Sequence, residues 1–294
     1  MQFQSVYGLA ELQEQFGAVL GVEGPVSRTA HDVLGDFHRA VLAETATIVT
    51  HQWQAGARRS PVRGFFLGGP PGTGKTTVAR RVAYELAQRF RDPAGPEGES
   101  AVVLALIDGA EIARARYGES EERIREVFKR AERGFTAPGQ RSIILFDDVE
   151  SVLMRRGSDQ AKEWHFSQDS VFFHSVDELD TSRTAVFLTS NRPDLVDEAI
   201  LDRFLNYSFG VPDLELLRAV ALRTGEQQGF TGAQLAGLAA RVEAATAAGA
   251  LVSIREAERL AVRQYVENLL GRAPAGRLGA EPPAGGSDGA SRAS

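Results

Sequence analysis

The sequence predicts an α/β fold, a parallel sheet sandwiched by helices and followed by a small all-α lid. Three observations carry that expectation. Short apolar runs alternate with stretches of helical spacing from about residue 63 to residue 209. Such near-continuous apolar strands are those buried on both faces, as happens when crossover helices cover a parallel sheet. Past Val211-Pro212 the strand signals stop and only helical spacing follows. The chain has 294 residues, 43% hydrophobic and 24% charged, enough for one large or two modest soluble domains.

Residues 1 to 28 hold short apolar pieces, with Val6 to Leu12 reading as a turn into a helix, and are expected to form an arm. From His31 to Gln54 the spacing of Val33, Leu34, Phe37, Val41, Leu42, Ile48 and Val49 is helical, broken by Arg58-Arg59-Ser60-Pro61. Strands are predicted at 63–67, 102–107, 142–146, 185–189 and 206–209, and helices at 76–90 and 120–133. A loop insertion follows at 91–98. In the lid, Asp213 caps a first helix, Thr231 with Gln234 forms a capping-box pattern for a second, and Ser253 with Glu256 forms one for a third. The tail, rich in Gly, Ala, Pro and Ser, is expected to be disordered. The divisions are therefore 1–28 arm, 29–210 α/β domain, 211–271 helical lid and 272–294 tail.

Composition excludes several chemistries. The 39 acidic and 33 basic residues leave a net charge of -6, so no global basic field recruits nucleic acid or an anionic membrane. Without cysteine there are no disulfides, thiolate metal sites or Cys nucleophiles. No run approaches a membrane span, and the N-terminus lacks a charged start with an apolar stretch, so a cytoplasmic location is expected.

Gly69-Pro70-Pro71-Gly72-Thr73-Gly74-Lys75-Thr76-Thr77 fits G-x-x-x-x-G-K-[ST] between a strand and a helix. The glycines let backbone N–H groups face phosphates, Lys75 offers an ammonium to the β- and γ-phosphates, and Thr76 offers a hydroxyl to Mg²⁺. The strand Ile143 to Phe146 ends in Asp147-Asp148. Asp147 is the candidate metal ligand, and Asp148 either the general base for a lytic water or a solvated loop acid. Asn191, after the next strand, either orients that water or is an ordinary turn residue. Arg203 is either an arginine finger delivered to a neighbouring subunit or a partner of Asp202. Arg255, in the first turn after Ser253, opposes the helix dipole, which invites a phosphate ligand; a plain surface arginine is the other reading.

From Val6 to about Leu270 these motifs together resemble the AAA+ ATPases, a P-loop NTPase family, and within them the AAA group of protein-remodelling motors. The resemblance identifies Gly69 to Thr77 as Walker A, Ile143 to Asp148 as Walker B, Asn191 as sensor 1, Arg203 as the arginine finger and Arg255 as sensor 2. It implies that Val6-Tyr7-Gly8 contacts adenine, hence ATP with Mg²⁺. Arg116-Tyr117-Gly118 is similar to the pore-loop segment that touches substrate. Asp147 to Leu153, with Ser253-Ile254-Arg255, is most similar to the Pch2/TRIP13 branch, which remodels HORMA-domain proteins. Two places depart from the family: Asp148 stands where Glu is usual, shorter by one methylene and so expected to slow hydrolysis, and Arg116 stands where the pore aromatic is usual, with Tyr117 next.

The resemblance implies a homo-hexameric ring that remodels a protein substrate, recruited through the arm, the pore face or an adaptor. A slow-turnover assembly switch is the second function considered. The third is a DNA-handling ATPase of clamp-loader type, with Arg114 and Arg116 lining a channel.

Overall fold

The computed structural model describes residues 4–16, 34–91, 101–113, 118–153 and 163–271. Strands β1 (Gln4–Tyr7), β2 (Gly64–Gly68), β3 (Val102–Asp108), β4 (Arg141–Asp147), β5 (Thr184–Ser190) and β6 (Phe204–Ser208) form one sheet in the order β1-β3-β4-β5-β2-β6. All pairs are parallel except β1 with β3. Because strand side chains alternate between faces, Phe65 and Leu67 of β2 point into one core and Phe66 into the other.

The first core joins β2 to helices α1 (Leu9–Phe16), α2 (Asp36–Ala55) and α3 (Lys75–Arg89) through Leu12, Val49 and Val82. On the opposite face lie α4 (Gly109–Ala113), α5 (Glu119–Arg133) and α6 (Glu163–Asp177), with Ile112, Phe128 and Phe172 against Ile144 and Phe146. A short helix α7 (Glu198–Leu201) precedes β6. Helices α8 (Leu214–Gln227), α9 (Gly232–Ala247) and α10 (Ile254–Leu269) share a third core around Leu217, Leu238 and Ala257.

The predicted strands appear within two residues of their expected ends. The N-terminal segment differs: residues 4–16 are no free arm. Val6 and Tyr7 extend the sheet at its edge, opposite Ala105 and Leu104, and Leu9 and Leu12 are 2% and 0% exposed. Four residues carry no readable alternation, and only the open edge of β3 makes them a strand. Helix α6 was also unforeseen, because its sequence EWHFSQDSVFFHSVD is rich in aromatic and β-branched residues, and packing of Phe172 and Val176 holds it. The tail, the 91–98 insertion beyond Arg91, and residues 114–117 lie outside the described residues. Among the described residues, no helix is long and apolar enough to cross a membrane.

Two of the three lid caps form as expected, with Asp213 accepting from Leu216 and Thr231 closing a box with Gln234. The third is shifted by one residue: Ser253 accepts from the Glu256 N–H at 3.2 Å, but the Glu256 carboxylate accepts from Val252, not from Ser253.

The sheet order places β5 between β4 and β2. In register, Asp108 lies beside Asp147 and Gly68 beside Ser190, so the carboxyl ends of β2, β4 and β5 open on one crevice.

Candidate functional site

The loop after β2 enters α3 through glycines in backbone conformations that other residues avoid. Gly74 has φ 93°, and a Cβ there would come within 2.9 Å of the His38 ring. Gly72 has φ 75°, and its Cβ would meet Ser253 of the lid at 2.9 Å. The loop thus has no room for side chains where it curls, and its backbone faces the crevice at the start of a fifteen-residue helix.

Lys75 is 5% exposed, and its ammonium donates to the carbonyls of Gly69 at 2.8 Å and Pro70 at 2.7 Å and to the Asn191 side-chain oxygen at 2.9 Å. Burial pulls its pKa below the ordinary lysine value, while Asp148, Glu150 and Asp147 oppose that shift. Thr76 donates to the Asp147 carboxylate at 2.8 Å, and Thr189, near the end of β5, donates to the same oxygen. A hydroxyl held against a carboxylate at the mouth of a phosphate loop is an oxygen donor set fit for a hard divalent cation.

Asp148 has φ 55° and ψ 52°, and is the one non-glycine residue at positive φ among the described residues. Such a backbone costs on the order of 1 kcal/mol and is commonest in Asn and Asp. It turns the chain sharply off β4 and delivers the Asp148 carboxylate to the Asn191 amide nitrogen at 2.5 Å. Asn191 therefore spans the two groups, its oxygen on the Lys75 ammonium and its NH₂ on Asp148; the reverse orientation would oppose like partners. Partial desolvation, with Asp147 and Glu150 alongside, raises the Asp148 pKa against the pull of Lys75.

Pro71, Gly72, Gly74, Lys75, Thr76 and Thr77 line a cleft of about 220 Å³ together with Asp147, Asp148, Asn191 and Arg255. Arg255 enters from the lid because the Ile254 N–H donates to the Gly72 carbonyl at 2.9 Å, seating the start of α10 on the loop. Thr73 lies behind the lining, 1% exposed, its hydroxyl on the Pro70 carbonyl at 2.9 Å.

Three expected residues lie elsewhere. Tyr7 and Gly8 sit at the sheet edge with β3, β4 and β5 between them and β2, so the cleft does not include them. Arg203 precedes β6, whose Phe204 pairs with Gly64, whereas the phosphate loop follows Gly68 at the other end of β2. At ~3.3 Å per strand residue Arg203 stands on the order of 15 Å from that loop, beyond the reach of its own side chain. Its partner is Asp177, not Asp202: Nε and Nη2 donate to the two carboxylate oxygens at 2.9 and 3.2 Å, and Nη1 donates to the Ala199 carbonyl. That bidentate bond raises its pKa. Gly118 is exposed at the N-cap of α5 with φ 84°, while Arg114, Arg116 and Tyr117 lie outside the described residues.

Sequence reasoning missed His38, Thr189 and Glu150. Glu150 carried a readable signal, an acid two places after Asp148; Thr189 and His38 carried none. His38 is 6% exposed and bonds the Thr73 carbonyl at 2.7 Å, bracing the phosphate loop from α2. Burial lowers its pKa, with the Thr73 bond and Asp213 opposing and Arg39 adding to the shift. The native state thus binds fewer protons than the unfolded chain once pH falls through the ordinary histidine value of 6.5, and stability is lost in that direction. Urea titrations at pH 7.5 and 5.5 are expected to show this loss in the wild type and a smaller one in His38→Gln.

Residues 65–209 match the family model described as "ATPase family associated with various cellular activities (AAA)". A proteasome-associated ATPase of Frankia casuarinae is 33% identical over 142 residues, covering 48% of this chain and 23% of that one. An "AAA ATPase forming ring-shaped complexes" of Corynebacterium kroppenstedtii is 33% identical over 142 residues, 48% and 24% of the two chains. The chain spans about a quarter of the length of these curated relatives. Among solved structures, C. elegans PCH-2 superposes with a TM-score of 0.62 at 13% identity, over 92% of this chain and 76% of that one. A chain of the E. coli MS115-1 HORMA:CdnC:Trip13 complex superposes with a TM-score of 0.56 at 15% identity, over 88% and 93%. The fold is thus that of these structures.

Proposed function

We propose that this chain, whose residues 65–209 form an AAA-family domain, assembles into a homo-hexameric ring that hydrolyses Mg-ATP to remodel or disassemble a protein substrate. The carrying observation is the Asn191 amide held between Lys75 and Asp148. A phosphate loop alone serves binding; an amide fixed between the phosphate-binding lysine and a carboxylate is placed to orient a lytic water at the γ-phosphate.

In this reading the loop N–H groups and Lys75 hold the phosphates, the ammonium exchanging its bonds to the Gly69 and Pro70 carbonyls for phosphate oxygens. Thr76 and Asp147 would hold Mg²⁺, which would supply positive charge to neutralise the phosphates. Asp148 accepts the water's proton. Arg203 of the neighbouring subunit neutralises the transferring phosphoryl group. Arg255, whose helix start is bonded to Gly72, couples the lid to nucleotide state. Action on a protein, and recruitment through an adaptor, are supported by the proteasome-associated relatives and by the HORMA-containing complex among the fold's neighbours.

The residue Asp148 favours a second reading, a slow assembly switch that docks a partner, because its carboxylate ends one methylene short of a glutamate. Phosphate release at saturating ATP tests both. Asp148→Asn is expected to lower turnover about 100-fold with ATP still bound, the scale of a general base. Asp148→Glu is expected to raise it about tenfold; an unchanged or lower rate removes the basis of the slow switch. A wild type that releases no phosphate overturns the hydrolytic reading.

A further inference from the structure

Glu150 sits in the 3-10 turn Val149–Ser151 that follows Asp148, and the proposed hydrolysis does not require it to touch nucleotide, metal or water. One carboxylate oxygen accepts the Asn191 backbone N–H at 3.0 Å. Its second oxygen is shielded from solvent and has no hydrogen-bond partner among the described residues. A half-buried carboxylate with one oxygen unbonded is retained at a cost, so the bond that it does make needs a reason. Asn191 supplies one. β5 ends at Ser190, so the Asn191 N–H leaves the ladder at the start of the turn to Arg192 and Pro193. The amide that spans Lys75 and Asp148 is two side-chain torsions from that backbone. A displacement of about 1 Å there is enough to spoil a near-attack geometry.

We propose that Glu150 is a positioning residue for ATP hydrolysis: it anchors the main chain at Asn191 and so fixes the amide between Lys75 and Asp148. The inference rests on the hydrolytic reading above. It makes the end of β4 hold Asn191 at two points, Asp148 through the side chain and Glu150 through the backbone, beside the bond from Thr189 to Asp147. A charge-assisted N–H···O bond is about twice as strong as a neutral one, which suits a single anchor. The reach is specific to glutamate or glutamine, since an aspartate would fall short by a methylene.

Glu150→Ala is expected to lower kcat about tenfold with the Kd for ATP unchanged, the size typical of groups that orient a catalytic residue. Glu150→Gln, which keeps the acceptor, is expected to restore kcat to within about twofold, and Glu150→Asp is not. In an Asn191→Ala background, where no amide remains to be placed, Glu150→Ala is expected to cost nothing further. Three results would each overturn the inference: an Ala variant with wild-type kcat, an equal loss in the Asn191→Ala background, or an ATP affinity that falls by the same factor as kcat. A readout independent of turnover separates this from the hydrolytic reading. Hydrogen exchange of the Asn191 backbone amide in the nucleotide-free chain is expected to speed up in Glu150→Ala and stay slow in Glu150→Gln. If the wild type hydrolyses no ATP, the parent reading fails while this exchange still decides the anchor, and exchange indifferent to Glu150 sinks it.

Discussion

Lys75→Ala is expected to abolish nucleotide binding while leaving the chain folded. Lys75 is 5% exposed and its ammonium makes three hydrogen bonds, two of them to loop carbonyls that phosphate oxygens would replace. Charge-assisted bonds of this kind are worth about 1.5–3 kcal/mol each, so losing two weakens binding on the order of 100-fold or more. Linkage makes the test simple. At a ligand concentration 100 times the wild-type Kd, binding adds about 2.7 kcal/mol to the stability of the native state. A variant with a 1000-fold weaker Kd gains less than about 0.1 kcal/mol under the same conditions. Thermal unfolding with and without Mg-ATP is expected to show a clear rise in Tm for the wild type and none for Lys75→Ala. An equal rise in both would mean that the nucleotide sits elsewhere.

Mixing two inactive variants is expected to restore turnover. Arg203 lies at the far end of β2 from the phosphate loop, so it serves a neighbour's site or none. Arginine fingers contribute about 10³–10⁵ in kcat, and Arg203→Ala is expected to fall by at least the lower figure at saturating ATP. In a ring of Arg203→Ala and Lys75→Ala subunits, a site works where the first holds ATP and the second follows it. Random assembly through a heterologous interface gives about one quarter of the wild-type rate. The bond to Asp177 does not prevent delivery, because a half-exposed ion pair is worth at most about 1 kcal/mol against a dianionic phosphoryl group. A mixture as inactive as its components, with rings assembled, would refute the shared site, as would full activity of Arg203→Ala alone.

The parts of the site that were legible in sequence are those whose chemistry is local. Gly69 to Thr77 must curl and present N–H groups, which only that glycine spacing allows, and Asp147 follows directly on its strand. Asp213 and Thr231 were legible for the same reason, as a cap depends on residues three apart. Tyr7 and Gly8 were misplaced because their position depends on which strand they pair with, a contact about a hundred residues away. For Arg203, the alternative to an arginine finger was a pair with Asp202, adjacent in the chain, whereas the acid adjacent in space is Asp177. His38 and Thr189 had no signal at all, since each acts on a loop or carboxylate from a separate element.

The sequence by itself determined the alternating sheet, the phosphate-loop motif, and the residue types proposed for phosphate, metal and water. These follow from short-range rules: strand burial, helix capping and glycine's freedom at positive φ. Only the tertiary structure decided that Asn191 spans Lys75 and Asp148, that Glu150 anchors it, that Arg203 faces away from its own site, and that residues 4–16 complete the sheet edge. The physical reason is the strand order, which brings together the ends of β2, β4 and β5 from positions far apart in the chain.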